Sequence, residues 1–585
     1  MNAGLRGLTD MLLGSRRPAG RQTLLVSAAL MLLVLIAYLP SLNAGFIWDD
    51  DDYLTENRVV QDPSGLWKIW FEPQLSPQYY PLTQTSFWLD VRLWGLNPLP
   101  FHLENILLQG LNAALLWLVL SHIGVPGALL AAALFGIHPV NVESVAWVTE
   151  RKNVLSGLFY LLTTLAWLRF RPLDEAEGAG ADRKGLWYGL SLVLFLCAMF
   201  SKVTTVTWPA VILLLVWWKK GRIERRDILP VIPFLLLGAV VGLGVTWWEK
   251  HFVGAKGYEW AFSVSDRILI AGRTLCFYAE KIFWPWKLTF IYPRWQIDSA
   301  NLFQWAWPLS AVGTLAALWL GRHRLGRGPV TAALYFTGNL APVLGFLNIY
   351  WMRFSFVADH FQYLATIGPI ALAAALIGRA AAGRTTLALV CSGAILITGA
   401  GLTWNQSRIY LDQETLWKDT LAKNPSAWIA WTNLGTFVLQ SGRVGEAEEY
   451  FNASLLLKED QPVAYNGLGT VYENQGRLPE AAASFRRAIS LDQAAEYHSN
   501  LGFVLAKQQL FQEALNAHHM ALKINPSYAN ALFGIASVHE TLGQYVQAAD
   551  YWRKFISSAS DPQWIQLARE RLRFCEQRSG AVIGR

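Results

Sequence analysis

The chain has 585 residues, of which 53% are hydrophobic and only 16% are charged, and its mean hydropathy is +0.27. This composition excludes an ordinary soluble protein of that length. The formal net charge of +7 is interpreted as the Lys and Arg excess of cytoplasmic loops in a membrane protein, and not as a nucleic-acid-binding surface.

Apolar residues dominate the chain from about residue 21 to residue 404. The first run, Thr23 to Leu39, follows basic residues, and no clear small-residue cleavage site comes after it. It is therefore interpreted as an uncleaved spanning helix and not as a signal peptide. Further runs of spanning length follow at 103–121, 126–140, 152–170, 186–200, 203–218, 228–248, 303–320, 329–348, 363–379 and 385–404. The sequence thus predicts a membrane domain over 23–404 with about eleven spans.

Loops rich in Lys and Arg predict the orientation of these spans. They lie at the N-terminus (1–22), Arg169–Lys184, Lys219–Arg226, Arg322–Arg327 and Arg379–Arg384. With these loops in the cytoplasm, the first outer loop (about 41–102) and everything after the last span face the outside. The stretch 266–284 carries five charged residues and is predicted to be an amphipathic helix at the interface.

Four consecutive aspartates, Asp49 to Asp52, open the first outer loop. Like charges at this spacing repel one another, so the segment is predicted to lie in water at the membrane face. A solvated acidic turn is one interpretation, and a general base or a cation site is the other. Because four adjacent carboxylates cannot all face one substrate, Asp49 and Asp50 are the predicted catalytic residues.

Three more polar groups stand at predicted membrane boundaries on the outer side. Their candidate site residues are Glu143, Arg151, Lys202, Arg353, Asp359 and His360. Helix capping and side chains that reach for the interface are the alternative interpretations of the first two groups. Together with the aspartates they predict a pocket in which cations hold a phosphate while a carboxylate deprotonates an acceptor hydroxyl.

The C-terminal part, about 411–577, contains repeats. Gly435, Gly469 and Gly502 recur at steps of 34 and 33 residues. Downstream of each glycine a small and a large residue recur: Ala447 and Phe451, Ala481 and Phe485, Ala514 and His518. This is the pattern of the tetratricopeptide repeat, a helix–turn–helix unit of about 34 residues. An α-solenoid that binds peptide or protein in its concave groove is therefore predicted.

The order of short motifs carries a resemblance that covers nearly the whole chain. The motifs are Tyr80-Pro81-Leu82-Thr83, Gly95-Leu96-Asn97-Pro98, Phe101-His102-Leu103-Glu104-Asn105, His138-Pro139, Ser201-Lys202 and Ala358-Asp359-His360-Phe361-Gln362-Tyr363. With the acidic loop and the repeats, they resemble the transmembrane-and-tetratricopeptide-repeat O-mannosyltransferases and their bacterial homologues. The resemblance implies an all-α fold: a polytopic membrane domain of the C-type glycosyltransferase class and a repeat solenoid.

The same resemblance implies inverting transfer from a polyprenyl- or dolichyl-phosphate sugar to a Ser or Thr hydroxyl. Asp49 and Asp50 resemble the family's acidic pair, and either is the expected base. The later polar motifs are expected to contact the lipid phosphate. Family members often have Arg where His360 stands, which weakens phosphate binding at that position or makes it pH-dependent.

The leading hypothesis is a membrane glycosyltransferase that modifies exported proteins, with the acceptor polypeptide bound in the repeat groove. A non-catalytic membrane-anchored scaffold, or a C-type transferase acting on glycolipid or glycan, are the alternatives. No cofactor is predicted, and the sequence leaves open whether a divalent cation is required. The bilayer and the polyprenyl-phosphate sugar are expected partners, and nucleic acid is not. The expected location is a bacterial inner membrane, with the N-terminus cytoplasmic and the repeats periplasmic.

Overall fold

A computed structural model describes residues 12–14, 20–76, 78–173, 183–255, 257–380 and 385–583. Every regular element among them is a helix, which confirms the predicted fold class. The chain divides into two compact units, Met1–Asp419 and Thr420–Arg585. Most of the predicted cytoplasmic segment 1–22 lies outside the described residues, as do 174–182 and 381–384 of the basic loops.

The longer helices of the first unit are labelled here in chain order. They are α1 (Arg21–Ala37), α2 (Pro81–Trp94), α3 (Pro98–His122), α4 (Ala128–Gly136), α5 (Arg151–Phe170), α6 (Lys184–Ser201), α7 (Trp208–Lys220), α8 (Ile232–Trp248), α9 (Val264–Phe283), α10 (Ala306–Leu325), α11 (Gly328–Leu340), α12 (Ile367–Ala380), α13 (Thr385–Ser407) and α14 (Gln413–Lys423). Each predicted apolar run overlaps one of these helices.

The predicted number of spans is not confirmed. Among the described residues, five helices are long and apolar enough to cross a membrane, or six if the bent pair Ala128–Gly136 and Pro139–Ala146 is one span. The chain is a membrane protein on this ground. Helices α7 and α11 have 13 residues each, or about 20 Å at the α-helical rise, which is shorter than the hydrocarbon core.

The polar candidates lie at one end of this helical domain. Helix α5 begins at Arg151 and α6 ends at Ser201, while α12 begins just after the segment that carries His360. The basic loops join the other ends of the same helices, for example after Phe170 and before Lys184. The helix bounds therefore separate a polar end from a basic end.

The first outer loop is folded onto the end of α3. Asn57 begins a short helix over Arg58–Gln61, since its side chain accepts hydrogen bonds from the backbone N–H groups of Val59 and Val60. A buried apolar cluster joins the loop to α2, α3 and the segment before α5: Tyr53, Leu54, Val60, Ile69, Phe87, Phe101 and Val148. This cluster fixes the loop, and with it the aspartate run.

The second unit consists of paired antiparallel helices. They are α15 (Trp428–Gln440), α16 (Val444–Leu457), α17 (Pro462–Asn474), α18 (Leu478–Leu491), α19 (Ala495–Lys507), α20 (Phe511–Ile524), α21 (Ala529–Thr541), α22 (Tyr545–Ser558) and α23 (Pro562–Ile583). The repeated glycines allow close packing. A Cβ added at Gly435 would lie 2.9 Å from the Phe451 ring, and one at Gly469 would lie 2.6 Å from the Phe485 ring.

Candidate functional site

A cavity of about 180 Å³ opens at the polar end of the helical domain. Its ionisable lining residues are Asp49, Glu150, Lys152, Lys202 and His360. Three of these were predicted from the sequence as site residues. Aromatic rings of Trp48, Tyr80, Trp147, Trp351 and Phe354 form much of the remaining wall.

Trp48 directly precedes Asp49, the aspartate that lines this cavity. Trp48 has a φ of 44°, a left-handed conformation that is uncommon for a residue other than glycine and costs on the order of 1–3 kcal/mol. Packing holds it there, because the Trp48 ring stacks on Trp147 at a centroid distance of 5.7 Å and lies 5.6 Å from Trp417 and 5.5 Å from Trp351. Such strain collects at functional sites.

Asp49 follows directly and is half-buried at the cavity wall. Among the described residues, no hydrogen bond to its side chain is present, and the residue lines the cavity. Burial raises the pKa of Asp49 to about 7, although the nearby Lys152 opposes the shift. A carboxylate with a pKa near neutrality is matched to general-base work at the same pH.

Asp50 is placed differently. Its side chain is fully buried, and one carboxylate oxygen accepts hydrogen bonds from the backbone N–H of Thr149 at 2.8 Å and from the Thr149 hydroxyl at 2.5 Å. The other oxygen accepts from the backbone N–H of Ile47 at 2.9 Å. Asp50 therefore ties the outer loop to the segment before α5, and it does not line the cavity.

A buried carboxylate holds the two lysines of the cavity. Glu150 lies 2.9 Å from the ammonium of Lys152 and 3.1 Å from that of Lys202. Lys202 directly follows α6, and the Thr83 hydroxyl fixes this turn by donating to the carbonyl of Ser201 at 3.1 Å. Burial lowers the pKa of Lys202 to about 8, with Glu150 opposing the shift. Each ammonium has three donors, so both lysines keep donors for an anion.

Glu143 and His360 form a buried pair, of which His360 lines the same cavity. The Nδ1 of His360 lies 2.8 Å from one carboxylate oxygen of Glu143, and the backbone N–H of His360 donates to the other at 3.1 Å. Burial lowers the pKa of His360 to about 3, so the ring is neutral at pH 7. Its other nitrogen lies 4.0 Å from Glu150, toward the lysines.

Arg151, a predicted phosphate contact, faces a different direction. Its guanidinium donates to Asp90, lies 3.1 Å from Glu104 and donates to the side chain of Asn105 at 2.9 Å. It also donates to the backbone carbonyl of Phe101 at 3.1 Å. This closed network ties α5 to α2 and α3, and Arg151 does not line the cavity.

Arg353 and Asp359 also lie away from the cavity. Arg353 pairs with Glu259 at 3.0 Å and donates to the Tyr350 hydroxyl at 3.2 Å. Asp359 is buried and accepts from the Tyr292 hydroxyl at 3.1 Å. Arg353 therefore links its segment to the one that carries Glu259, and Asp359 links its segment to the one that carries Tyr292.

Sequence reasoning did not select Glu150 and Lys152 as site residues, although both flank the predicted Arg151. Their charge was a signal, but three consecutive ionisable residues did not reveal which of them face the cavity.

Within the part of the chain that the structure describes, no group of three or more His, Cys, Asp or Glu side chains could hold a metal ion.

Comparisons with known proteins identify relatives over both units. Family models of the tetratricopeptide repeat match residues 414–462, 462–494 and 500–563. "Protein O-mannosyl-transferase TMTC4" of Mus musculus is 24% identical over 486 residues, which is 71% of this chain and 64% of that protein. "Protein O-mannosyl-transferase Tmtc1" of Drosophila melanogaster is 26% identical over 53% of this chain and 37% of its own length.

"Protein O-mannosyl-transferase TMTC4" of Homo sapiens is 30% identical over 200 residues, or 30% of this chain and 27% of that protein. The chain therefore spans less than two thirds of the length of each of these relatives.

Proposed function

Since the chain belongs to the transmembrane-and-tetratricopeptide-repeat O-mannosyltransferase family, we propose that it is a membrane glycosyltransferase. It transfers a sugar, mannose by analogy with the names of its relatives, from a polyprenyl-phosphate-linked donor to a Ser or Thr hydroxyl of a polypeptide. The observation that carries this proposal is the cavity in which the carboxylate of Asp49 shares a wall with Lys152 and Lys202.

The proposed reaction is a single displacement. Asp49 takes the proton of the acceptor hydroxyl as its oxygen forms a bond to the anomeric carbon of the donor sugar. The bond between that carbon and the phosphate oxygen breaks, and the phosphate leaves with the electron pair. Attack from the face opposite the phosphate inverts the configuration. The proton ends on Asp49, and the phosphate ends beside the two lysines.

Lys152 and Lys202 are the proposed phosphate ligands. Their ammonium groups make charge-assisted hydrogen bonds to phosphate oxygens, and Glu150 holds them in place. The negative charge of the leaving phosphate grows during the reaction, so donors fixed in advance lower the barrier. Neutral His360 adds no charge, which departs from the arginine often found at this position in the family.

The size of the cavity agrees with a headgroup site. A volume of about 180 Å³ is smaller than the roughly 300–1,000 Å³ of sites that enclose a drug-sized ligand. The donor's hydrocarbon chain would therefore lie outside, along an apolar edge of the cavity formed by Val245, Val343 and Leu347.

We further infer a bacterial inner-membrane location, with the basic end of the helices in the cytoplasm and the polar end and the repeats in the periplasm. The Lys and Arg bias of the loops supports this orientation. The repeat unit is proposed to bind the acceptor polypeptide, since arrays of this kind bind peptides in their concave groove. This favours a protein acceptor over a glycolipid.

The test uses full-length protein in vesicles, a radiolabelled polyprenyl-phosphate mannose and a Ser/Thr-rich peptide or exported protein. Asp49→Asn is expected to lower transfer by about 10²- to 10⁴-fold, the range for loss of a general base. Asp52→Asn is the matched control, because Asp52 is exposed, and it should keep wild-type transfer. Full activity of Asp49→Asn would refute the assignment, and transfer to glycolipid alone would favour the alternative acceptor.

A further inference from the structure

A second and larger cavity, of about 650 Å³, lies between α3, α5, α7, α11 and α12. It is at the basic end of the helices. Gly328, the first residue of α11, lines this cavity, whereas Pro342, just beyond the end of α11, lines the cavity of Asp49. Likewise α12 contributes Arg379 near its last turn, while His360 precedes its first turn. The two cavities therefore occupy opposite ends of the same helices.

The walls of this basic-end cavity are apolar. Leu116, Leu161, Val211, Leu215 and Leu372 are among the residues that line it. From Ile367, at the deep end, to Arg379, at the mouth, α12 advances twelve residues, or about 18 Å at the helical rise. The volume of the cavity is within the usual range for ligand sites. Because the cavity is apolar and elongated along the helices, it suits a hydrocarbon chain.

The mouth carries three arginines, Arg324, Arg327 and Arg379. Arg327 is engaged, since it donates to the backbone carbonyls of Trp217 at 3.0 Å and Lys219 at 3.1 Å, at the end of α7. Arg324 and Arg379 are exposed, and neither forms an ion pair with a carboxylate in the part of the chain that the structure describes. Two guanidinium groups at one end of an apolar cavity complement an anion attached to a hydrocarbon chain.

We propose that this cavity binds one anionic glycerophospholipid, with an acyl chain between the helices and the phosphate headgroup at Arg324 and Arg379. Basic pockets between spanning helices take such headgroups at the cytoplasmic face, and guanidinium groups form bidentate contacts with phosphate. The sugar donor of the proposed reaction does not fit the role, because its phosphate would then lie at the helix ends opposite Asp49.

Bound there, the lipid fills the space between α7, α11 and α12 at the basic end. Helix α11 also ends near the other cavity, where Pro342 and Val343 contribute to the wall. An anionic lipid therefore stabilises the helical arrangement on which that wall depends. Lipid binding and thermal stability can be measured without the proposed transferase activity, on which only the exclusion of the sugar donor rests.

The experiment measures the melting temperature of the full-length protein in a neutral detergent, with native mass spectrometry to count bound lipids. Phosphatidylglycerol should raise the melting temperature more than phosphatidylcholine with the same acyl chains. In the double variant Arg324→Ala/Arg379→Ala the apparent affinity for phosphatidylglycerol should fall about 30-fold, because each basic residue near an anionic headgroup contributes about 1 kcal/mol.

Two further variants separate this site from a general surface charge. Arg322→Ala is the matched control. Arg322 lies on the same turn of α10 as Arg324, but it packs over Trp319 and does not line the cavity. The affinity of this variant for phosphatidylglycerol should therefore stay at the wild-type value. Ala371→Phe keeps both arginines but fills the apolar wall, and it should lose the tightly bound lipid.

Three results would overturn the proposal. They are equal effects of phosphatidylglycerol and phosphatidylcholine on the wild type, equal losses in Arg322→Ala and in the double variant, and a full shift produced by glycerol 3-phosphate alone. The last result would identify a site for a soluble anion and not for a lipid.

Discussion

Glu150, Arg151 and Lys152 are consecutive, yet they belong to two regions with opposite properties. Arg151 sits in a closed network with Asp90, Glu104 and Asn105, in which its guanidinium is surrounded by acceptors. Glu150 and Lys152 line the cavity, where two lysines share one carboxylate. A buried guanidinium whose three nitrogens each have an acceptor is a structural group, whereas two ammonium groups that share one carboxylate keep donors for an anion.

The largest expected effect that separates the two regions is a loss of stability in Arg151→Met. Removing this cation leaves the carboxylate of Asp90 buried without its partner, which costs about 3–5 kcal/mol. Thermal unfolding of the detergent-solubilised protein should show a large fall in melting temperature. Transfer per folded molecule should stay within a few-fold of the wild type.

The double variant Arg151→Met/Asp90→Asn is the control for that change. It should recover part of the lost stability, because no uncompensated carboxylate remains at Asp90. An Arg151→Met protein that melts normally but fails in transfer would instead place Arg151 among the substrate-binding groups.

A change on the cavity side should have the opposite signature. Lys202→Met removes a proposed phosphate ligand but leaves Glu150 paired with Lys152, so folding should persist. Loss of one charge-assisted hydrogen bond costs about 1.5–3 kcal/mol, which corresponds to roughly a 10- to 150-fold fall in kcat/KM for the lipid-linked donor. Steady-state kinetics with varied donor checks this, and unchanged kcat/KM would exclude Lys202 as a ligand.

The smallest effect concerns the repeat unit, where His518 occupies the position that Phe451 holds in the first repeat. Each ring lies between two glycines: Gly435 and Gly467 flank Phe451, and Gly502 and Gly534 flank His518. Among the residues that the structure describes, neither ring nitrogen of the fully buried His518 has a hydrogen-bond partner. His518→Phe should therefore stabilise these helices by about 1 kcal/mol.

Hydrogen exchange of the α19 and α20 amides in the full-length protein measures that gain. Burial lowers the pKa of His518 to about 4, from about 6.5 in an unfolded chain. The unfolded state thus binds the proton more readily, and wild-type stability falls as the pH drops from about 6.5 toward 4. The gain from His518→Phe should grow over that range, and a pH-independent gain would contradict this cause.

The repeats were predictable because their determinants are periodic. Gly435 and Phe451 meet within one helix–turn–helix unit, and Gly467 of the next unit meets the same ring, so the spacing alone indicates the packing. The membrane helices were predictable as apolar runs for a similar reason. Their number of spans was not, because short helices such as α7 fall below the length that composition can identify as a crossing.

The roles of adjacent charges were not predictable from the sequence. Whether Asp49 or Asp50 faces the cavity depends on the backbone of Trp48, and rings as distant in sequence as Trp351 and Trp417 hold that conformation. The direction of Arg151 depends on Asp90, 61 residues earlier in the chain. Tertiary contacts decide such questions, and a local pattern only indicates that charged residues are near.

The pH dependence of kcat/KM tests the central claim most directly, because it reports the pKa values of the free enzyme's essential groups. Transfer should rise with pH as Asp49 loses its proton near pH 7, and it should fall as Lys202 loses its proton near pH 8. In Lys202→Arg the fall should disappear while the rise remains, since arginine stays charged. A flat profile from about pH 5 to 9, or a fall that persists in Lys202→Arg, would contradict the account.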